Sequence, residues 1–439
     1  MTHPQDLTLR QQSEAIRRGD LSAKELLEAT LERLRDRDPA INSTPVVFDE
    51  LSQVQISQAP AGPLYGVPIT VKDMYALPWR AARNGTTLNL IPAGASGPYR
   101  NLRDAGVIVV GIANQHELGI GSTGIYSAYG PVHNPWDPLR CAGGSSGGSA
   151  AGVAARLVAG SLASDSGGST RIPASFCGVV GLKLTYGSVP YDGYFGAATT
   201  FSAPGLVARD GGDARMLTAA MLQRPLPQQS GSGLRVGLVR QPFWNDVDHE
   251  TADACTKALT LAGWKVSEVK IDNLELAGAA FLARLIAEAG IPSPEVFATL
   301  SEPTRALLLA GMLAPARFVP RADRVRAAVR YSLAAALETV DFLAWPATPS
   351  TAPTLDDPWV TLPSGRVLVD VPNVRQNSLA NLTGAPAISI PVGLSGSQMP
   401  IGLQLLGPWG SEARLLDAAE HIERASDRAY VNLVAPLAR

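Results

Sequence analysis

The clearest periodic signal lies near the N-terminus. In "SAKELLEATLERLRDR", Leu26, Leu27, Thr30, Leu31 and Leu34 recur at helical spacing, which puts them on one face of an amphipathic helix. Ser22 with Glu25 three residues on is a capping box and marks where that helix starts. The pattern then shortens. "YGVPITVKDM" is strand-like, and "NLRDAGVIVVGIAN" ends a helix, stops at Gly106 and enters a buried strand from Val107 to Val110. "SAAGVAARLVAG" predicts a tightly packing helix of small residues. "RVGLV", a helix near 250–262 and "WKVSEVKI" form a strand–helix–strand unit, and the chain from about 275 to 340 is largely helical. "DFLAWPATP" and "APAISIPVG" predict further buried strands, and "SEARLLDAAEHIERA" a closing helix. This alternation argues for an α/β protein with a mainly parallel or mixed sheet. The segment 222–234, "LQRPLPQQSGSGL", is the best linker candidate, but strand signals resume at once, so a surface excursion within one domain is expected.

Composition changes this picture little. The 439 residues are 46% hydrophobic and 17% charged, with a formal net charge of −2 and scattered basic residues. Neither a nucleic-acid partner nor a membrane partner is expected. Cys141, Cys177 and Cys255 cannot all pair and fit no zinc spacing, so reduced thiols are expected. The opening "MTHPQDLTLRQQ" lacks the pattern of a signal peptide. The richest apolar stretch, "LELAGAAFLARLIAEAG", carries Arg284 and Glu288, which argues against a membrane span. A cytoplasmic location follows as an expectation.

Candidate chemistry collects in three segments. Lys72 ends the "GVPITVK" strand, on the face shared with Pro68 and Thr70 and opposite Val67, Ile69 and Val71. Poor hydration there would lower its pKa and let it act as a base; the competing reading is a strand-end lysine reaching solvent. "GGSSGGS" (143–149) cannot form a packed core, but its glycines permit close backbone approach, and Ser145 or Ser146 can then face a cleft. "SDSGGST" presents Ser166, Gly167, Gly168 and Ser169 in succession. Free N–H groups there would form an oxyanion hole beside the Ser169 hydroxyl; a polar surface loop is the alternative. None of His3, His116, His133, His249 and His421 stands in a catalytic context. "GGSSG" matches a nucleophile-elbow pattern, but "VHNPWDPLRCA" before it shows no strand. There is no phosphate-binding loop, and no metal motif. Cys177 in "ASFCGVVG" is expected to be a buried, inert thiol.

Taken together, "CAGGSSGGSAAGVAARLVAGSLASDSGGSTRIPASFCGVVGLK" (141–183) and "YGVPITVKD" closely resemble the amidase signature family. "LRDAGVIVVGIANQHELGIGSTG", "AYGPVHNPWDP", "NLTGAPAISIPVG" and "PIGLQLLG" extend the likeness over most of 8–215 and 340–425. The resemblance implies one α/β/α domain around a large mixed sheet. Its signature core would span about 65–215, a variable helical region about 275–340 and a C-terminal segment about 340–425. It implies a Ser-Ser-Lys triad of Ser169 as nucleophile, Ser145 as bridge and Lys72 as base, with Ser145 following a cis peptide bond. The oxyanion donors fall on Ser166, Gly167 and Gly168, and no cofactor is needed. The implied activity is hydrolysis of a small-molecule amide by an enzyme that is a possible homo-oligomer. The alternatives are the A-type subunit of a glutamine-dependent tRNA transamidating complex and a catalytically inactive binding protein. Ser164 stands where the family commonly has Thr, Leu184 where it has Pro, and "GSVPYDGYFGAATTF" departs from its usual pattern. Pocket walls are expected from the 120s, the 190s and the helical middle.

Overall fold

The computed structural model describes residues 3–194, 198–290, 293–426 and 435–438. Eleven strands form one mixed sheet: β1 (Val46–Val47), β2 (Pro68–Lys72), β3 (Ile108–Ala113), β4 (Gly160–Asp165), β5 (Val180–Lys183), β6 (Ala203–Ala208), β7 (Arg235–Leu238), β8 (Lys265–Glu268), β9 (Phe342–Pro346), β10 (Ala387–Leu394) and β11 (Pro400–Leu406). Their spatial order is β1-β3-β2-β4-β6-β5-β10-β11-β9-β7-β8. β2 lies between β3 and β4 and is parallel to both. The centre from β4 to β9 is antiparallel, and β9, β7 and β8 are parallel. This is the single α/β domain around a large mixed sheet that the sequence led us to expect.

The capping box at Ser22 forms as expected. Ser22 Oγ accepts from the Glu25 N–H at 3.1 Å, and the Ser22 N–H donates to Glu25 Oε2 at 2.8 Å. The helix runs Ala23–Arg37 and buries Leu26, Leu27, Thr30, Leu31 and Leu34. On β3, Ile108 and Val110 join Leu27, Leu31 and Leu34 and Ala150, Ala151 and Val153 of the Gly147–Ala154 helix in one core. Val109 joins Ile69, Val71, Tyr99 and Leu102 in another. Alternate residues of one strand thus feed cores on opposite faces, as in a sheet covered on both sides. That double cover explains why all five residues of β2 are buried, Lys72 included. The strand-end lysine does not reach solvent.

One expectation needs adjustment. "VHNPWDPLRCA" contains a small antiparallel ribbon, His133–Asn134 with Asp137–Cys141, apart from the main sheet. Its strands are short and polar, so no apolar alternation betrays them. The helical middle divides into Ala277–Glu288, Pro294–Thr299, Glu302–Leu313 and Phe318–Thr339, and 222–234 is a connection within the domain.

Candidate active site

The site forms at the carboxyl ends of the three parallel strands β2, β3 and β4, where α/β sheets generally bind ligands. Lys72 is the last residue of β2, His116 follows β3 by three residues, and the Asp165–Ser169 turn leaves β4. The Gly143–Ser149 run approaches from the side and opens the Gly147–Ala154 helix. It is glycine-rich because backbone presses on it. A Cβ at Gly148 would lie 2.4 Å from Ser43 O and 2.5 Å from Asn114 N. The Gly144–Ser145 peptide is cis.

Lys72 Nζ meets three hydroxyls: Ser145 Oγ at 2.7 Å, Ser146 Oγ at 2.8 Å and Ser164 Oγ at 2.8 Å. Burial pushes its ammonium down to about 7, while the nearby Asp165 carboxylate acts in the opposite direction. Ser146 Oγ donates its own proton to Ser164 O at 3.1 Å, so towards Lys72 it can only accept. Ser145 Oγ makes no other hydrogen bond among the described residues. A hydroxyl can donate or accept, so Ser145 can pass a proton to or from an amine. Lys183 offers a contrast. Burial brings it to about 7 as well, yet its Nζ donates only to the carbonyls of Leu184 (3.0 Å) and Ala385 (2.8 Å). Carbonyls cannot relay protons.

Ser169 lies in the wall of a cavity of about 800 Å3 with Ser166 and Gly167. Its hydroxyl has no hydrogen-bond partner among the described residues, and its carbonyl accepts from the Ser146 N–H at 3.1 Å. The structure therefore joins Lys72 to Ser145 directly, and ties Ser169 to the neighbouring Ser146 through the backbone. The N–H groups of Ser166, Gly167 and Ser169 meet no acceptor among the described residues. That of Gly168 donates to Asp165 Oδ1 at 2.8 Å. Gly168 therefore departs from the expected donor set, because the carboxylate that shapes the turn already occupies its N–H.

Sequence reasoning overlooked what holds this turn. Asp165 and Arg171 form a fully buried ion pair, with Nη2 to Oδ1 at 2.8 Å and Nε to Oδ2 at 2.9 Å. Arg171 also donates to Asn381 Oδ1 at 2.7 Å, Asn377 O at 3.1 Å and Gln404. Burial alone would raise the Asp165 carboxyl, but the Arg171 guanidinium and further donors outweigh it and hold it well below the usual carboxylate range. Gly168 sits at φ +113°, where a Cβ would also fall 2.5 Å from Asn377 Cβ. Phe281 covers Gly167, with its Cζ 2.6 Å from where a Cβ would stand.

The cavity wall is mostly apolar. It draws on the 116–126 segment and on Ala277, Phe281, Leu282, Leu285 and Leu307 of the helical middle, as expected. Pro242, Phe243 and one side of the Asp370–Thr383 helix complete it, and nothing in the sequence pattern had marked them. Of the 190s, residues 195–197 lie outside the described residues. Tyr194 turns into the core and stacks on Tyr75 with centroids 4.9 Å apart. His116 belongs to the wall. Burial lowers it to about 3, with Lys72 adding to the effect. Its Nδ1 accepts from the Gly124 N–H at 3.3 Å, so Nε2 carries the proton. All three cysteines are buried and free, and burial pushes each thiol up. Among the described residues no cluster fits a metal ion, and no helix is long and apolar enough to cross a membrane.

A buried lysine among hydroxyls, beside a serine in a cleft with unengaged N–H groups, offers the groups that acyl chemistry needs. Residues 25–416 match the family model described as Amidase, and the chain belongs to that family, the amidase signature enzymes. It is an amide-hydrolysing enzyme. The chain is 34% identical to the A-type subunit of glutamyl-tRNA(Gln) amidotransferase from Thermus thermophilus, over 96% of this chain and 97% of that one. Among solved structures it resembles an amidase (TM-score 0.89, 30% identity, 95% of this chain and 99% of that one). It also resembles a chain of an inhibitor-bound, vestigial protein complex described as revealing the evolutionary origins of an s-triazine catabolic enzyme (TM-score 0.89, 27% identity, 96% and 99%).

Proposed function

We propose that the protein cleaves the carbon–nitrogen bond of an amide through an acyl-enzyme on Ser169, with Ser145 and Lys72 as the proton relay. The observation that carries this is the buried contact of Lys72 Nζ with Ser145 Oγ at 2.7 Å, beside a cleft lined by Ser169. Neutral Lys72 takes the Ser145 proton as Ser145 takes that of Ser169, and Ser169 Oγ bonds to the carbonyl carbon. The oxyanion accepts from the N–H groups of Ser166, Gly167 and Ser169. As the C–N bond breaks, the proton returns from Lys72 through Ser145 to the leaving nitrogen. Water then adds to the acyl carbon by the same relay and releases the acid and Ser169. A fluorophosphonate probe tests the nucleophile: an adduct on Ser169, absent in Ser169→Ala, is expected. A folded wild-type protein with no adduct would leave the binding-protein reading standing.

A second reading shares this chemistry. The curated relatives at 30–34% identity over nearly their whole length are named as A-type subunits of glutamyl-tRNA(Gln) amidotransferase, and by name the comparisons favour that reading. They give no support to the expectation of a small-molecule substrate without a nucleic-acid partner. One feature of the cavity counts against the second reading. Glutamine would bring an α-carboxylate, and the one cationic side chain in the described wall, Arg375, is already paired with Asp246 at 2.7 Å. Hydrolysis of simple amides by the purified chain alone supports the first reading. Glutaminase activity that emerges only with a co-purifying partner protein supports the second.

A further inference from the structure

We propose that Asp370 is a specificity-determining residue that selects amides carrying an ammonium, or another strong N–H donor, at the end remote from the scissile bond. The inference rests on the hydrolase reading above and names the substrate class for that same cavity. The wall carries three charged side chains, Glu275, Asp370 and Arg375. Glu275 is exposed. Arg375 is neutralised by Asp246, to which its Nη1 donates at 2.7 Å and its Nη2, through the backbone carbonyl, at 3.0 Å. Asp370 faces the cavity with no cation paired to it among the described residues.

Its placement is fixed. Oδ1 accepts the Ser122 N–H at 2.6 Å, and Ser122 Oγ in turn accepts from Asn373 Nδ2 at 3.1 Å. Ser122 and Asp370 both belong to the wall, so this bond clamps the carboxylate between the 120s segment and the first turn of the Asp370–Thr383 helix. The Ser122 hydroxyl and the Asp370 N–H also act on the carboxylate, but no cationic side chain among the described residues does. Burial pushes the Asp370 carboxyl up, with only the Ser122 and backbone donors acting against it. An incoming cation would supply the missing compensation. The apolar wall accommodates the methylenes between the two ends, and a substrate ending in a carboxylate would meet like charge.

Matched series test this: ω-aminoalkanamides, plain alkanamides and ω-carboxyalkanamides of about four to eight carbons. With wild-type enzyme, kcat/KM for the ammonium series should exceed that of its neutral partner by about tenfold or more at one length or more, as a charge-assisted hydrogen bond allows. The carboxylate series should be poorest. In Asp370→Asn the ammonium-to-neutral ratio should collapse to about one. A ratio near one at every length in wild type, or one that survives in Asp370→Asn, overturns the proposal. A binding arm needs no turnover. In Ser169→Ala, alkylammonium ions should bind tighter than the matching alkanols. If they do so while no amide is hydrolysed, the hydrolase reading fails and Asp370 keeps its role; equal binding removes the role whatever the chemistry.

Discussion

The sharpest consequence of the site concerns proton inventory at Lys72. Its ammonium, ordinarily near 10.5, is brought to about 7 by burial. Relative to an ordinary lysine, that favours the neutral form by roughly 5 kcal/mol. At pH 7 about half the molecules would carry the free amine, against about 1 in 3,000 for an ordinary lysine. If the neutral amine is the base, kcat/KM should rise about tenfold per unit below pH 6, bend near 7 and level off above 8. Three groups around the cleft titrate too far away to produce that limb. His116 titrates near 3, Asp165 lies below the carboxylate range, and Cys141 is pushed up to about 12. Burial also raises two carboxyls at the site, Asp73 to about 6 and Asp370, so Asp73→Asn and Asp370→Asn are needed as controls and should leave the midpoint of the limb in place. Lys183 shares the Lys72 value, so Lys183→Met serves as a further control with the same expected result. The assay is initial-rate hydrolysis of one amide from pH 5 to 9, with circular dichroism at each pH to show that the fold persists. Lys72→Arg should lose activity throughout, since a guanidinium does not deprotonate in this range. A flat profile, a midpoint near 10, or a limb that vanishes in any of these controls would each refute the assignment.

Three further outcomes follow from the same contacts. Ser164→Ala removes an acceptor from the Lys72 ammonium, which disfavours the charged form; the acid limb should move to lower pH, and Ser164→Thr should restore it. Arg171→Met strands the Asp165 carboxylate in a fully buried setting, and urea unfolding should show a loss of about 3–5 kcal/mol. Gly167→Ala puts a Cβ 2.6 Å from Phe281 Cζ and should lower kcat by about 100-fold or more through displaced oxyanion donors. Pairing it with Phe281→Leu should recover part of the loss, and no recovery would mean that the ring is not what the Cβ strikes.

Signals that act within a few residues were readable before the fold was known. The Ser22–Glu25 box and its leucine stripe needed only their own helix, and the structure places both as expected. The glycine runs told where backbone must come close, but not what comes close. Phe281 over Gly167 and Asn377 against Gly168 are more than 100 and 200 residues away in sequence, and no local pattern could supply them. The same distance hid the Asp165–Arg171–Asn381 network, although its first two members flank the second serine run. The choice between Ser145 and Ser146 shows the limit most clearly. Adjacent hydroxyls in a glycine-rich turn are chemically alike, and both do reach Lys72, at 2.7 and 2.8 Å. What separates them is a third group, the Ser164 carbonyl, which takes the proton of Ser146 and leaves that of Ser145 uncommitted. Ser164 is brought there by the parallel pairing of β2 with β4. In the proposed mechanism, sheet topology thus selects the relay from two equivalent side chains. A substitution that removes the Ser146 donor, such as Ser146→Ala, should therefore slow catalysis far less than Ser145→Ala, and equal losses in the two would mean that the hydrogen-bond accounting misassigns the relay.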